Sequence, residues 1–479
     1  MAPPRALLRP ATALAALAVA AAAAAWAPAH AALTPGDVLL SLDSGCTGAC
    51  AEGVVAQLEA VGCTRVVLYP TLRLARATCS VAAAAPDFTT IIAIPGVELV
   101  SADVAAVLLA APAPSANAVG VTPRAAAGAP DDVGTLGGPA AVRQTQIITG
   151  GVAGFWGLDR IDQRRLPLDG FFSTPCFPSQ GAGVTVYVID TGCRATHAEF
   201  GGRATTQVAD LWTGGITSGV DEDGHGTHVA ATVAGATAGV AKRASVRCIK
   251  VFSDTGTGEF STVFAALEMA SAFKAAAPAR KVVVNLSLGN TPGGDLAPLT
   301  VIDIAMRRMA DLGVIGVAAA GNTPAVSACD QIPGRAPTAI TVAASTIFDR
   351  LAPFSSTGAC VDVIAPGELI RSADSASDAG FKFLSGTSMA SPHVAGIVAL
   401  LLGDRENGGA LTPADVNRLL KAGAPTVAGF ALGFVSTSGC GGLPAPPPPK
   451  PPVSAPHPPP PPPPPPPHVD YPYDYGYFY

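Results

Sequence analysis

The chain has 479 residues, enough for two or three domains and a sizeable buried core. It carries 29 Lys and Arg against 35 Asp and Glu, a formal charge of −6, and only 13% of its residues are charged, against about 25% in ordinary soluble domains. No basic cluster is present, which excludes a nucleic-acid reader. The 49% hydrophobic fraction, with a mean hydropathy of +0.39, comes largely from alanine, so composition does not make this a polytopic membrane protein.

Residues 1–31 read as a secretion leader. Arg5 and Arg9 precede an Ala/Leu run over residues 11–25, and Ala29-His30-Ala31 supplies the small residues that a signal peptidase accepts. An uncleaved anchor and an organelle transit peptide are the alternatives, because residues 10–36 carry no charge. Ten cysteines, an even number, suit an oxidising compartment, and the expected location is extracellular or the cell wall.

Cys46, Cys50, Cys63 and Cys79 fall in a small segment with hydrophobic runs at residues 37–42, 65–69 and 90–94. Between them, residues 51–61 read as an amphipathic helix, with Val54, Val55, Leu58 and Val61 at near-helical spacing. Residues 32–110 are therefore predicted to form a compact α+β unit. Residues 111–152, rich in Ala, Pro and Gly, are a linker.

Residues 153–440 alternate two patterns. Apolar runs at 184–189, 246–251, 282–286, 314–318 and 339–342 are separated by helical stretches such as 261–274 and 299–312, which predicts an α/β domain with a mainly parallel sheet between helices. Ligands of such sheets gather at the carboxyl ends of the strands. Three polar residues fall where that rule puts a site. Asp190 ends the run 184–189 before Thr191-Gly192; alone, it could simply cap a turn. His225 lies in Asp223-Gly-His-Gly-Thr-His-Val229, where flanking glycines allow a close backbone approach and a helix over 229–234 follows. His225 and His228 could together bind a metal, but no third ligand or Glu base of a zinc protease accompanies them. Ser388 lies in Ser385-Gly-Thr-Ser-Met-Ala-Ser-Pro-His-Val-Ala-Gly396, a turn before an apolar helix over 394–402, with Pro392 placed in the first turn. A serine there is ordinarily an N-cap, yet a nucleophile at that position also gains unpaired backbone NH groups and the positive end of the helix dipole.

Residues 441–479 change composition again. A proline run over 444–467 should extend as polyproline II, and tyrosines then occupy every second position from Tyr471 to Tyr479. This tail reads as a disordered spacer, or as an attachment to an extracellular matrix or cell wall; it resembles hydroxyproline-rich wall glycoproteins of the extensin type, whose tyrosines can be cross-linked.

The strings Val-Ile-Asp190-Thr-Gly, Gly-His225-Gly-Thr-His and Gly-Thr-Ser388-Met-Ala-Ser-Pro-His resemble, in order, the active-site signatures of subtilisin-like serine proteases, family S8. Trp156-Gly-Leu-Asp-Arg-Ile-Asp162-Gln and Phe200-Gly-Gly-Arg203 are similar to the proteinase K-like branch, and Ile94-Pro-Gly-Val-Glu-Leu-Val-Ser-Ala-Asp103 to the I9-type inhibitory propeptide. The resemblance covers about residues 153–435. It implies a three-layer subtilisin-like fold and a secreted, monomeric serine endopeptidase that processes itself within residues 110–156 and takes proteins or peptides as substrates, with its own propeptide as inhibitor. The rival expectation is a catalytically silent wall or matrix protein that uses the fold to dock.

By the same resemblance, Asp190, His225 and Ser388 form the catalytic triad, and Asn322 with the Ser388 backbone NH forms the oxyanion hole. Leu286-Ser287-Leu288-Gly289 and Gly256-Thr-Gly258 are the edges that hold substrate as an added strand. Ala318, Ala319, Ala320 and Gly321 line the pocket for the residue before the cut, with Phe260 in a second pocket, so apolar or aromatic side chains are expected there. Chemistry needs no cofactor. A structural calcium is implied at Asp362 with the carbonyls of Pro337 and Ala339, and a disulfide between Cys329 and Cys360. The sequence departs from the pattern at Ala231 and at Cys193, the latter free or bridged to a partner such as Cys248. The sequon Asn285-Leu-Ser287 lies in the expected substrate-pairing strand, which argues against a glycan.

Overall fold

The computed structural model describes residues 37–79, 91, 93–102, 105–109, 145–147, 154–209, 218–290, 300–405 and 411–435. The leader at 1–31, most of the linker at 111–152 and the tail at 441–479 lie outside the described residues, as does part of the 90–94 run. Among the described residues no helix is long and apolar enough to cross a membrane.

The N-terminal unit is an antiparallel sheet of β1 (Asp37–Leu42), β2 (Cys63–Tyr69), β3 (Leu74–Cys79) and β4 (Val97–Ala102), in the order β2-β3-β1-β4, crossed by the helix Ala49–Ala60. Strand side chains point alternately to opposite faces. In β1 both faces are covered: Val38, Leu40 and Leu42 pack with Val54 and Leu58 of the helix, while Leu39 joins a core shared with the larger domain. That is why the run shows no polar alternation. Val61 falls just past the helix end and is 45% exposed, so the helical face is shorter than its spacing suggests. Disulfides Cys46–Cys50 and Cys63–Cys79 staple this small unit.

Beyond it come β5 (Ala105–Leu108) and the pair β6 (Thr145–Ile147) with β7 (Phe171–Ser173). The larger domain then runs through β8 (Val184–Asp190), β9 (Ala204–Val208), β10 (Ser245–Lys250), β11 (Thr257–Glu259), β12 (Lys281–Leu286), β13 (Leu288–Asn290), β14 (Ile315–Ala319), β15 (Ala339–Ser345), β16 (Val363–Pro366), the hairpin β17 (Ile370–Ala373) and β18 (Phe381–Leu384), and β19 (Thr426–Val427) with β20 (Phe430–Leu432). Its central sheet has the order β19-β20-β16-β15-β14-β12-β8-β10-β9 and is parallel except for the closing β19–β20 pair. All five predicted runs are strands of this sheet. Each buries apolar residues on both faces, with Arg247 and Lys250 as charged exceptions in 246–251, because helices cover both: His225–Ala234 and Thr387–Gly403 on one side, Phe260–Ala275 and Thr300–Asp311 on the other.

The helix Thr387–Gly403 begins seven residues earlier than the predicted 394–402 stretch, and Pro392 lies inside it rather than in its first turn. A proline cannot donate to the carbonyl four residues back, here that of Ser388. Ser287 Oγ donates to that carbonyl at 2.9 Å instead and sits 2.9 Å from Ser391 Oγ, so the missing helical bond is replaced by a link to the neighbouring segment.

Candidate active site

Asp190 is the last residue of β8, buried at the carboxyl edge of the sheet. Its Oδ1 accepts from Thr191 N at 2.8 Å and from His225 Nδ1 at 2.8 Å. Because a carboxylate only accepts, Nδ1 carries the proton and Nε2 is left as the basic nitrogen. Nε2 is buried and has no hydrogen-bond partner among the described residues. Burial pulls the His225 pKa down, but the charge and hydrogen bond of Asp190, with Asp223 and Asp221 behind it, outweigh burial and hold it above the ordinary 6.5.

Asp221, which sequence reasoning missed, ties these loops together. Its Oδ1 accepts from Thr191 Oγ1 and Gly224 N, both at 2.7 Å, and its Oδ2 from Thr227 N at 2.7 Å and Thr227 Oγ1 at 2.5 Å. One buried carboxylate thus joins the segment after Asp190 to the first turn of the His225 helix. Gly226 must be glycine at this junction, since a Cβ would stand 2.1 Å from the Gly192 carbonyl oxygen. Cys193 is bridged to Cys248 of β10, which anchors the same segment to the sheet.

Ser388 is the second residue of its helix, and Gly386 at the N-cap makes no side-chain cap. Its hydroxyl therefore does not cap the helix. Ser388 Oγ lies 2.6 Å from the carbonyl oxygen of Leu109 and 3.0 Å from that of Ser287. The Leu109 oxygen also accepts from Asn322 Nδ2. Asn322 is aimed by Thr387, whose N and Oγ1 both donate to Asn322 Oδ1 at 2.9 Å. The two donors on the Leu109 carbonyl are thus a side-chain amide and the serine hydroxyl, the latter where the backbone NH of Ser388 was expected.

Leu109 follows β5, which is the middle strand of a three-stranded antiparallel sheet, β11-β5-β13. Thr257, Gly258 and Glu259 pair with Val107, Ala106 and Ala105 on one side; Leu288, Gly289 and Asn290 pair with Leu108, Val107 and Ala106 on the other. Leu109 N points to Ser287 O at 3.5 Å. The expected edge residues Gly258, Ser287, Leu288 and Gly289 therefore hold an extended strand, and Gly256 abuts Leu108, whose Cδ1 is 2.9 Å from the place of a Gly256 Cβ. Leu286 ends β12, Ala318 and Ala319 end β14, and Ala320 and Gly321 continue it toward Asn322. Phe260 is buried in the same core as Ala106. Asn285 is fully buried in β12, with Nδ2 donating to Ser287 Oγ at 2.9 Å, so this fold leaves no room for a glycan on it.

Cys329 and Cys360 are bridged, as the resemblance implies. The calcium expected at Asp362 does not fit. Asp362 Oδ1 accepts from Asn417 Nδ2 and from Lys421 Nζ at 3.1 Å, and Oδ2 from Thr341 N at 3.0 Å. Both carboxylate oxygens are thus already paired, one of them with the ammonium of Lys421, so in this structure Asp362 presents no unpaired oxygen to a divalent cation.

The sequence profile of the Subtilase family matches residues 181–441. The chain is 43% identical over 271 residues to the alkaline serine exoprotease A of Vibrio alginolyticus, covering 57% of this chain and 47% of that protein. It is 44% identical over 247 residues to an extracellular serine proteinase of Thermus sp. (strain Rt41A), covering 52% of this chain and 56% of that protein. The chain thus spans about half the length of these relatives. The crystal structure of a cold adapted subtilisin-like serine proteinase superposes with a TM-score of 0.50 at 39% identity, covering 59% of this chain and 97% of that one. With more than half of its residues matched by the profile, the chain belongs to the subtilase family.

Proposed function

We propose that the chain is a secreted serine endopeptidase, made as a zymogen, whose residues 32–109 act as an inhibitory propeptide and whose first substrate is its own Leu109-Ala110 bond. The observation that carries this reading is the Leu109 carbonyl, which receives Asn322 Nδ2 and lies 2.6 Å from Ser388 Oγ while β5 runs through the cleft as an added strand. The cut then falls one bond before the 110–156 interval expected from sequence.

His225 Nε2 takes the proton as the Ser388 hydroxyl turns from the Leu109 oxygen toward it, and Oγ bonds to the carbonyl carbon. Negative charge collects on the Leu109 oxygen, where the Asn322 amide is already aimed by Thr387. The bond to Ala110 breaks as His225 returns the proton to the leaving amine, and water then hydrolyses the acyl ester. Asp190 holds the imidazole tautomer and stabilises its charged form without taking the proton. Protein chains that can lie extended between β11 and β13 are the substrate class.

Wild-type and Ser388→Ala chains, expressed in full, test the reading by mass and N-terminal sequence. The wild type should yield a chain beginning at Ala110 and take a fluorophosphonate probe; Ser388→Ala should remain uncut and unlabelled. An uncut, unlabelled wild type would leave the docking-module alternative in its place.

A further inference from the structure

The pocket around Leu109 is not wholly apolar. One wall is Gln331, 1% exposed, whose Cγ and Cδ stand 2.9 and 3.2 Å from the place of a Cβ on Gly321. Only glycine at 321, with φ at +109°, lets that side chain lie across the wall. The amide then reaches Gly289. Around the place of a Gly289 Cβ lie Leu109 Cδ1 at 3.1 Å, Gln331 Oε1 at 3.3 Å and Leu109 Cδ2 at 3.3 Å, so the amide oxygen and both methyl groups border the same point of the pocket. Gln331 Nε2 is buried with no hydrogen-bond partner among the described residues. The backbone beneath it is held: Gln331 N donates to Ala328 O at 3.2 Å, Gln331 O accepts from Arg335 N at 2.7 Å, and Cys329 is bridged to Cys360.

A buried donor without an acceptor carries an uncompensated desolvation cost, and a leucine in the pocket cannot relieve it. We propose that Gln331 makes this pocket select side chains that end in a carboxamide, asparagine and glutamine, over leucine at the residue before the cut. Asparagine is the shape-matched case: its Oδ1 and Nδ2 stand where the two methyl groups of leucine stand. Turned end for end about its last torsion, the Gln331 amide meets either a donor or an acceptor. A neutral amide can hydrogen-bond a charged side chain but supplies no countercharge to offset the cost of burying it. The inference rests on the peptidase reading and deepens it: Leu109 fits the pocket in shape but leaves its polar wall unmatched, as suits a segment that is cut once and then held.

The test uses three p-nitroanilide peptides that copy residues 106–108 and end in Leu, Asn or Gln, assayed with the self-processed wild type and with Gln331→Met, which is neutral and similar in length. The Asn-to-Leu ratio of kcat/KM should be about tenfold or more higher in the wild type than in the variant. Equal fluorophosphonate labelling rates establish that the triad is intact in both. The same ratio in both enzymes overturns the inference and leaves the peptidase reading standing. Should Gln331→Met not fold, a wild type that disfavours both Asn and Gln more than about tenfold against Leu overturns it equally. A wild type that hydrolyses none of the three and takes no probe removes both readings together.

Discussion

At His225, burial and charge pull the pKa in opposite directions. Burial lowers it, and Asp190, Asp223 and Asp221 together raise it further than burial lowers it, so the imidazole keeps its proton to a pH above 6.5. A general base must be neutral, so kcat/KM on a short peptide should rise with pH through a midpoint above 6.5. Removing the N-terminal unit relieves part of the burial, the one lowering cause, so the direction holds for the processed enzyme. A midpoint below 6.5 in the pH–rate profile would contradict the assignment. Asp221 acts at this scale as well. It touches no reacting atom, yet it accepts from both Thr191, next to Asp190, and Thr227, in the first turn of the His225 helix, which makes it a positioning residue.

Each catalytic helix also carries a buried neutral histidine. Burial pushes His228, on the His225 helix, down to about 3, and His393, on the Ser388 helix, down to about 4. His228 Nε2 bonds the carbonyl of Ile370 in β17, and His393 Nδ1 bonds that of Met389 one turn earlier. Both pKa values lie below that of an unfolded histidine, about 6.5, so the stability they represent is present above that pH and is lost as pH falls through their folded values. The loss is on the order of several kcal/mol once both are charged. Urea midpoints should therefore drop steadily from pH 6.5 to 4, and His393→Asn, which keeps a donor near Nδ1, should flatten the slope. A midpoint constant over that interval would show that the helices do not need these rings neutral. Pro392 belongs to the same scale: it opens a gap in helical bonding that only the Ser287 hydroxyl, from a distant segment, fills.

Across the whole molecule, the N-terminal unit is held by two long side chains of the larger domain. Glu268 accepts from Thr71 N and Leu72 N at 2.8 Å each. Arg308, buried, donates through Nη1 to Leu72 O and Arg73 O at 2.7 and 2.6 Å, and through Nη2 to Leu42 O at 2.6 Å and Glu98 Oε2 at 2.9 Å. Arg76 adds a pair with Glu259 at 3.0 Å, and Leu39, Tyr69, Leu72 and Leu74 enter the larger domain's core. These contacts aim β5 between β11 and β13, and under the proposed self-processing they would keep the unit there after the cut. Arg308→Ala takes the arginine donor from Leu72 O and Leu42 O, while Arg73 O keeps Leu42 N and Glu98 Oε2 keeps Ser41 Oγ, a change of roughly 30-fold or more in affinity for a buried charged contact. On dilution of the self-processed chain, the variant should release peptidase activity at a correspondingly higher concentration than wild type. Identical release curves would mean that the apolar contacts alone hold the unit.

The candidate site residues were legible because their signals are local. Asp190 closes a long apolar run, His225 and Ser388 lie in Gly-containing strings that open apolar helices, and a strand buried on both faces writes its burial directly into consecutive residues. The alternation of runs and helical stretches over 153–440 likewise determined the parallel α/β sheet, and the runs and helical spacing before residue 110 the small N-terminal α+β unit. Tertiary structure alone decided which residue meets which across the chain: Gln331 against Leu109, Asp221 between two loops, Glu268 and Arg308 on the N-terminal sheet, and Lys421 on the carboxylate of Asp362. None of these carries a sequence mark, because a side chain's partner depends on how separate elements pack, and spacing along the chain records only the face on which a residue lies.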